Sequence, residues 1–176
     1  MNHNSHNVHQ VNPPHPWFND ELDLILEKTL PLAPEWIWRA YTEPELLKQW
    51  FCPRPWTVSD CELDVRPGGI CSTTMRSPEG VLFPNVGCYL ETDKNKKLVW
   101  TNTMLPGFRP APTVADPAHF EFSAVILLNE IPGGTRYTAI VTHGTKEHRA
   151  IHDKMGFYEG WGIVLDQLVE LGSRTR

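Results

Sequence analysis

The chain has 176 residues, 40% of them hydrophobic and seven of them tryptophan, which suits one folded domain with a substantial core and excludes an intrinsically disordered chain. A formal net charge of −5, with no run of Lys or Arg longer than two, argues against nucleic acid as a partner, because phosphate binding needs clustered cations. No apolar stretch reaches membrane-spanning length and the N-terminus lacks the apolar run of a signal peptide, so no membrane partner is expected and the protein is expected in the cytoplasm.

Residues 1–20 are polar, rich in Asn and His, and carry Pro13-Pro14-His15-Pro16; they are expected to form a disordered arm, with the folded domain spanning 21–176. His3, His6 and His9 sit three apart, but an arm offering only imidazoles is read as incidental to metal binding. Leu22 to Leu30 reads as a first strand. Pro34 opens a short helix over Glu35 to Tyr41, since proline suits a first helical position. A second helix is expected over Glu45 to Phe51, capped by Thr42 and ended by Pro53 and Pro55. Six strands should follow: Thr57 to Val65, Ile70 to Arg76, Val81 to Thr92, Lys97 to Met104, Phe120 to Glu130 and Thr135 to His143. Arg66-Pro67-Gly68-Gly69, Pro78-Glu79-Gly80, Asp93-Lys94-Asn95 and Pro132-Gly133-Gly134 supply turns. Leu105 to Ala118, with four prolines, reads as a long loop. The four cysteines, Cys52, Cys61, Cys71 and Cys88, lack C-x-x-C spacing and read as free buried thiols.

Lys146 to Gly172 is the one long segment of helical periodicity. Ile151, Met155, Tyr158, Gly162, Leu165 and Val169 recur at three- and four-residue steps, with Trp161 and Leu168 beside the stripe. A terminal helix after an antiparallel meander buries its apolar face on the sheet, giving an α+β domain of about seven strands. Gly156, Gly160 and Gly162 interrupt the helix at about 1 kcal/mol each relative to alanine, and missing side chains over a curved sheet leave room for a cavity.

The order of elements is that of the START-like helix-grip fold. Ala40-Tyr41-Thr42-Glu43-Pro44-Glu45 with Leu47-Lys48-Gln49-Trp50-Phe51 resembles the "A-x-T-x-P-E … l-x-x-W-(W/F)" opening of the activator-of-heat-shock-protein-90-ATPase homologue-like branch of the SRPBCC superfamily. Asp64-Val65-Arg66-Pro67-Gly68-Gly69 resembles that branch's "D-(L/V)-R-P-G-G" hairpin. Gly87-Cys88-Tyr89-Leu90-Glu91 is similar to its "G-x-Y-x-E" strand, and Gly160-Trp161 with Leu165 and Leu168 to its "G-W-x-x-x-L-x-x-L" helix. The resemblance covers about residues 22 to 172; the His-rich arm and the longer Pro-rich loop depart from it. It implies a hydrophobic ligand held between helix and sheet, or, through the family name, a chaperone partner and a place in stress responses. A fold alone does not choose between them.

Strand alternation puts Phe120, Phe122, Ala124, Ile126 and Leu128 on one face, with Leu98, Trp100, Asn102 and Met104 on the preceding strand and Tyr137, Ala139, Val141 and His143 on the following one. A cavity under the helix would then be lined by Trp100, Met104, Phe120, Phe122, Met155 and Tyr158, with Asn102 and His143 as its polar groups, joined by Trp50, Met75, Tyr89 and Trp161 from the surrounding segments. Apolar walls with a few polar groups describe a site for a small hydrophobic or aromatic molecule. Less favoured is a cyclase- or hydratase-type enzyme using His143 with Tyr137 or Tyr158. His148 and His152, one turn apart, are read as an exposed polar helix end and not a metal face. There is no phosphate loop, dinucleotide fingerprint or G-x-S-x-G elbow, and no cofactor or catalytic residue is assigned. Free sheet edges leave room for a homodimer.

Overall fold

The computed structural model describes residues 17–175, so most of the expected N-terminal arm, including His3, His6 and His9, lies outside the described residues. Trp17 to Asp20 lead into a turn in which the Leu22 and Asp23 amides donate to the Asn19 carbonyl. The elements follow in the order β1 (Asp23–Leu30), α1 (Pro34–Thr42), α2 (Pro44–Leu47), β2 (Thr57–Leu63), β3 (Ile70–Arg76), β4 (Leu82–Asp93), β5 (Lys97–Thr101), β6 (Met104–Leu105), β7 (Arg109–Pro110), β8 (Ser123–Ile131), β9 (Gly134–Thr142), α3 (Lys146–Lys154) and α4 (Phe157–Arg174). Seven strands form one sheet in the order β1-β9-β8-β5-β4-β3-β2, every neighbouring pair antiparallel. This is the expected α+β helix-grip architecture. Among the described residues no helix is long and apolar enough to cross a membrane.

Pro34 starts α1, and Ile37, Trp38, Ala40 and Tyr41 bury one face of it. Thr42 does not cap α2. It is the last residue of α1, and its hydroxyl donates to the Trp38 carbonyl at 2.7 Å. Pro44 disfavours helical backbone in the residue before it, so Glu43 is extended (φ −100°, ψ 116°) and forms the boundary. The second helix is also shorter than expected, ending at Leu47, with single turns carrying the chain to Phe51.

Two expected strands are shorter because a side chain takes over from the backbone. β5 stops at Thr101 and β8 starts only at Ser123. Between them the Asn102 amide donates to the Phe120 carbonyl and accepts from the Phe122 N–H, both at 2.9 Å. The Pro-rich loop is not structureless at its start, since β6 and β7 make a separate two-stranded ribbon.

The largest departure is at the C-terminus. The expected single helix is two, α3 and α4, because Gly156 adopts a left-handed conformation (φ +90°) that ends one helix and begins the next. The break rotates the apolar stripe. The buried positions of α4 are Phe157, Val164, Leu165, Gln167, Leu168, Leu171 and Gly172, while Met155 is 67% exposed. Gly172 is the tight contact: a Cβ there would lie 2.4 Å from the Leu32 side chain.

The inner face of the sheet, α1 and α4 enclose the main core, including Leu24, Ile37, Tyr41, Trp50, Tyr89, Ile126, Tyr137 and Leu168. A second cluster covers the outer face, where Val99, Val125 and Ile140 pack with Phe18, Ile25, Leu90 and Leu127.

The two glycines of the break region separate backbone from steric effects. Neither Gly156 nor Gly160 has an atom within 4 Å of an added Cβ, but only Gly156 has positive φ. Gly160→Ala should raise stability by about 1 kcal/mol through helix propensity. Gly156→Ala should lower it by about 1–2 kcal/mol through left-handed strain. Urea unfolding midpoints of the two variants check the sign of each.

Candidate functional site

A row of paired residues crosses the inner face of the sheet. Leu63 faces Cys71 and Cys71 faces Gly87; two residues further along β4 Tyr89 faces Trp100, Trp100 faces Ala124, Ala124 faces Val141 and Val141 faces Leu24. The β1–β9–β8 end of the row is dry: Leu24, Val141 and Ala124 are fully buried. Toward β2 cover thins, and Leu63, Val65, Cys71, Trp100 and Phe122 are only partly buried against the core, as are Phe51 and Trp161.

The centre of the helix–sheet interface is filled. Tyr41 and Tyr137 share a 2.6 Å hydrogen bond between hydroxyls, and the Trp161 indole N–H donates to the Tyr137 oxygen at 2.8 Å. Trp50 packs edge-on against Tyr41 with ring centroids 4.8 Å apart, and its N–H donates to the Ala40 carbonyl. Burial raises the Tyr41 and Tyr137 hydroxyls well above the ordinary phenol range, so both stay neutral. All four cysteines are free; burial pushes the Cys61 thiol up to about 11 and that of Cys71, beside the Tyr89 hydroxyl, up to about 12, which leaves neither nucleophilic at neutral pH.

Beside this packed centre lies a gap. At 100° per residue, Gly160 falls within the buried arc of α4, between the directions of Gln167 and Leu171, yet nothing lies within 4 Å of where its Cβ would be. The neighbouring turns cannot simply drop into it. Trp161 is held by Tyr137, and the buried Gln167 amide donates to the Trp50 and Cys52 carbonyls and accepts from the Arg54 N–H.

The expected site residues therefore separate. Trp100, Phe122 and Trp161 are partly buried against the same core, with Phe120 and Met104 also half-buried, whereas the Tyr158 hydroxyl is bonded by the Ile25 backbone at the β1 edge of the sheet. Trp50 and Tyr89, each 1% exposed, are core. Met75 sits in another cluster, with Leu47, Cys52 and Val58. Met155 points to solvent because of the helix break, and Asn102 bonds backbone on both sides of its amide. The expected His143–tyrosine pair does not form, because Tyr137 is engaged by Tyr41 and Trp161, and Tyr158 by the Ile25 backbone.

His143 has another partner. Its Nδ1 lies 2.7 Å from the Leu22 carbonyl and its Nε2 3.0 Å from Nδ1 of His152. The carbonyl only accepts, so Nδ1 of His143 carries the proton; its Nε2 then accepts from Nδ1–H of His152. His152 is thus no exposed polar helix end. Its ring stacks on Phe120 (centroids 4.4 Å, planes 27°) and meets Phe157 edge-on at 5.2 Å. His148 is apart from it, its Nδ1 accepting from the Glu121 N–H, and the described residues hold no cluster of three metal-ligating side chains.

A surface groove of about 600 Å³ lies elsewhere, between the Arg66–Gly69 turn and Pro106, Gly107 and Phe108. There the Pro-rich loop docks on the hairpin: the Gly107 N–H donates to the Gly68 carbonyl at 2.8 Å, and the Phe108 ring fills the space a Cβ on Gly68 would need. Its lining mixes Glu62, Asp64 and Arg66 with Pro67, Ile70, Pro106 and Phe108, and it is not the expected cavity.

The family described as Activator of Hsp90 ATPase homolog 1-like protein matches residues 31–172, nearly the whole of this architecture. The chain belongs to that family. Protein NE0264 from Nitrosomonas europaea is 46% identical, with a TM-score of 0.84 over 90% of this chain and 98% of that one. Protein Ms6760 from Mycobacterium smegmatis is 25% identical over 86% of this chain and 91% of that one, with a TM-score of 0.67. A protein from Rhodobacter sphaeroides shares the fold at 19% identity, with a TM-score of 0.75 over 89% of this chain and 95% of that one. None of the curated proteins matches. In this Activator of Hsp90 ATPase homolog 1-like chain, sequence reasoning named Gly160 among three glycines that leave room over the sheet but missed Gln167 as a pin and His152 as an inward group; the one available signal was Gly156, whose use as a helix break would have rotated the stripe.

Burial lowers His152 to about 4, helped by His143, and lowers His143 despite its Leu22 bond and nearby Asp23. A histidine with a folded pKa below its unfolded value contributes stability that is present above about pH 6.5 and lost as pH falls toward the folded value. Urea midpoints should therefore drop between pH 7.5 and pH 5, and His152→Gln should flatten that drop. An unchanged slope in the variant would remove the histidine pair as its source.

Proposed function

We propose that this domain holds a small hydrophobic or aromatic molecule between the inner face of the sheet and the C-terminal helices. The observation that carries the reading is the gap under inward-facing Gly160, set beside the partly buried rings of Trp100, Phe122 and Trp161. Apolar walls reached by solvent within an otherwise close-packed interface are what a ligand of this kind would complete. Phe120 and Met104 extend the lining; Trp50 and Tyr89 support it from the core. The four free cysteines favour a reducing compartment, the cytoplasm.

The test is saturable uptake of a neutral fluorescent dye, N-phenyl-1-naphthylamine. Gly160→Phe should abolish uptake while leaving the circular dichroism spectrum native, and Met155→Trp, on the exposed linker, should leave it unchanged. Uptake that survives Gly160→Phe in a folded variant would locate the dye elsewhere and sink the reading.

A second reading, docking on a chaperone of the kind the family description names, is favoured by one feature. β4 pairs with β5 only from Cys88 onward, and the preceding stretch exposes Val81, Leu82, Phe83 and Val86, with Trp56 stacked near Phe83 at 5.3 Å. Phe83→Ser should weaken capture of a purified Hsp90-type chaperone several-fold if this face docks; equal capture by variant and parent would count against it.

A further inference from the structure

The histidine pair has a consequence for what the cleft recognises. His143 donates from Nδ1 to the Leu22 carbonyl, so its Nε2 takes the proton of His152 Nδ1. Both nitrogens of His143 are occupied, and it serves as a positioning residue. The neutral His152 ring is left in one tautomer, with a lone pair on Nε2. That nitrogen has no hydrogen-bond partner among the described residues. Its surroundings are aromatic: Phe120 stacked at 4.4 Å, Phe157 edge-on at 5.2 Å and Phe122 at 5.8 Å. Phe122 also belongs to the partly buried floor of the cleft, two residues before Ala124 on the same strand face, and so joins the acceptor to the proposed binding region.

An aromatic enclosure with a single fixed acceptor selects the chemistry of what enters it. A carboxylate is disfavoured, since it would set its own lone pairs against that of Nε2. Arg149, on the same helix, donates to the Asp23 carbonyl and to Asp153, and bears on His143 instead of on His152. Asp23 adds negative charge beyond His143, and the neighbouring His148 is engaged with the Glu121 amide. A purely apolar molecule would bury Nε2 without a partner, at a cost in affinity. A neutral ring bearing an O–H group satisfies both demands, stacking among the phenylalanines and donating to the nitrogen.

We propose that His152 Nε2 is the hydrogen-bond acceptor for the ligand and that the ligand is a neutral aromatic alcohol of the phenol class. The proposal rests on the cleft reading given above.

The test compares two probes of nearly the same shape, 2-naphthol and 2-methoxynaphthalene, binding to the full chain by fluorescence titration at pH 7.5. The hydroxyl compound should bind about tenfold tighter, although the ether is the more hydrophobic. In His152→Phe that preference should vanish. In the parent protein, the 15N resonance of His152 Nε2 should shift with 2-naphthol and not with the ether, a readout independent of any variant's folding. Equal affinities with an unmoved Nε2 resonance would overturn the assignment of His152 and leave the cleft standing. Absence of saturable binding by either probe would overturn the cleft and this proposal together.

Discussion

The hydroxyl of Tyr137 is the atom on which the helix–sheet interface depends. It lies on β9 with no solvent contact, and it is bonded by Tyr41 from α1 and by Trp161 from α4. A buried phenol left without partners is costly, so the three elements are tied to one geometry as well as packed together. Two turns along, Gln167 repeats the device with the chain that leaves α2. Between these pins apolar burial of Leu165, Leu168 and Leu171 supplies most of the cohesion. Protein interiors ordinarily close over missing side chains as far as neighbours can relax. Here the hydrogen bonds of Trp161 and Gln167, both on the C-terminal side of Gly160, set the spacing of helix and sheet, and open space is left at Gly160.

The glycine at 156 has a different consequence. Its left-handed backbone splits the C-terminal segment and changes which side chains of α3 turn inward. Met155 goes to solvent, and His152 goes onto Phe120 and toward His143. A flexible apolar group is thereby replaced by a polar one with a defined tautomer. Desolvation holds that polar group neutral, which makes it an acceptor instead of a cation near neutral pH.

The sheet is covered on both faces where it matters. Phe18 and the outer residues of β1, β4, β5, β8 and β9 make a second apolar layer, so the central strands carry side chains buried on either side. The Pro-rich loop is likewise anchored, through Gly107 and Phe108, to the turn at Gly68. Exposed apolar surface is concentrated instead at the part of β4 that has lost its β5 neighbour.

Period-two alternation, turn glycines and prolines carried the element order, the antiparallel meander and the helix-grip class, because those signals are local and each repeats along its own segment. The inward direction of Ala124, Ile126, Leu128, Tyr137 and Val141 was legible for the same reason. The candidate site was legible only in part. Periodicity anticipated that Trp100, Phe122 and Trp161 pack against the main core, whereas Met155, Met75 and Asn102 have other surroundings than expected. One glycine's φ rotated the first, packing in a separate cluster with Leu47, Cys52 and Val58 removed the second, and hydrogen bonds of its own side chain to two backbone groups engaged the third. The sequence by itself determined which segments are strands and helices and which faces are apolar. The tertiary structure alone decided which polar atoms meet (Tyr137 with Tyr41 and Trp161, His143 with His152) and where a side chain is missing above the sheet, because those contacts join residues far apart in the chain and no local pattern encodes their distance.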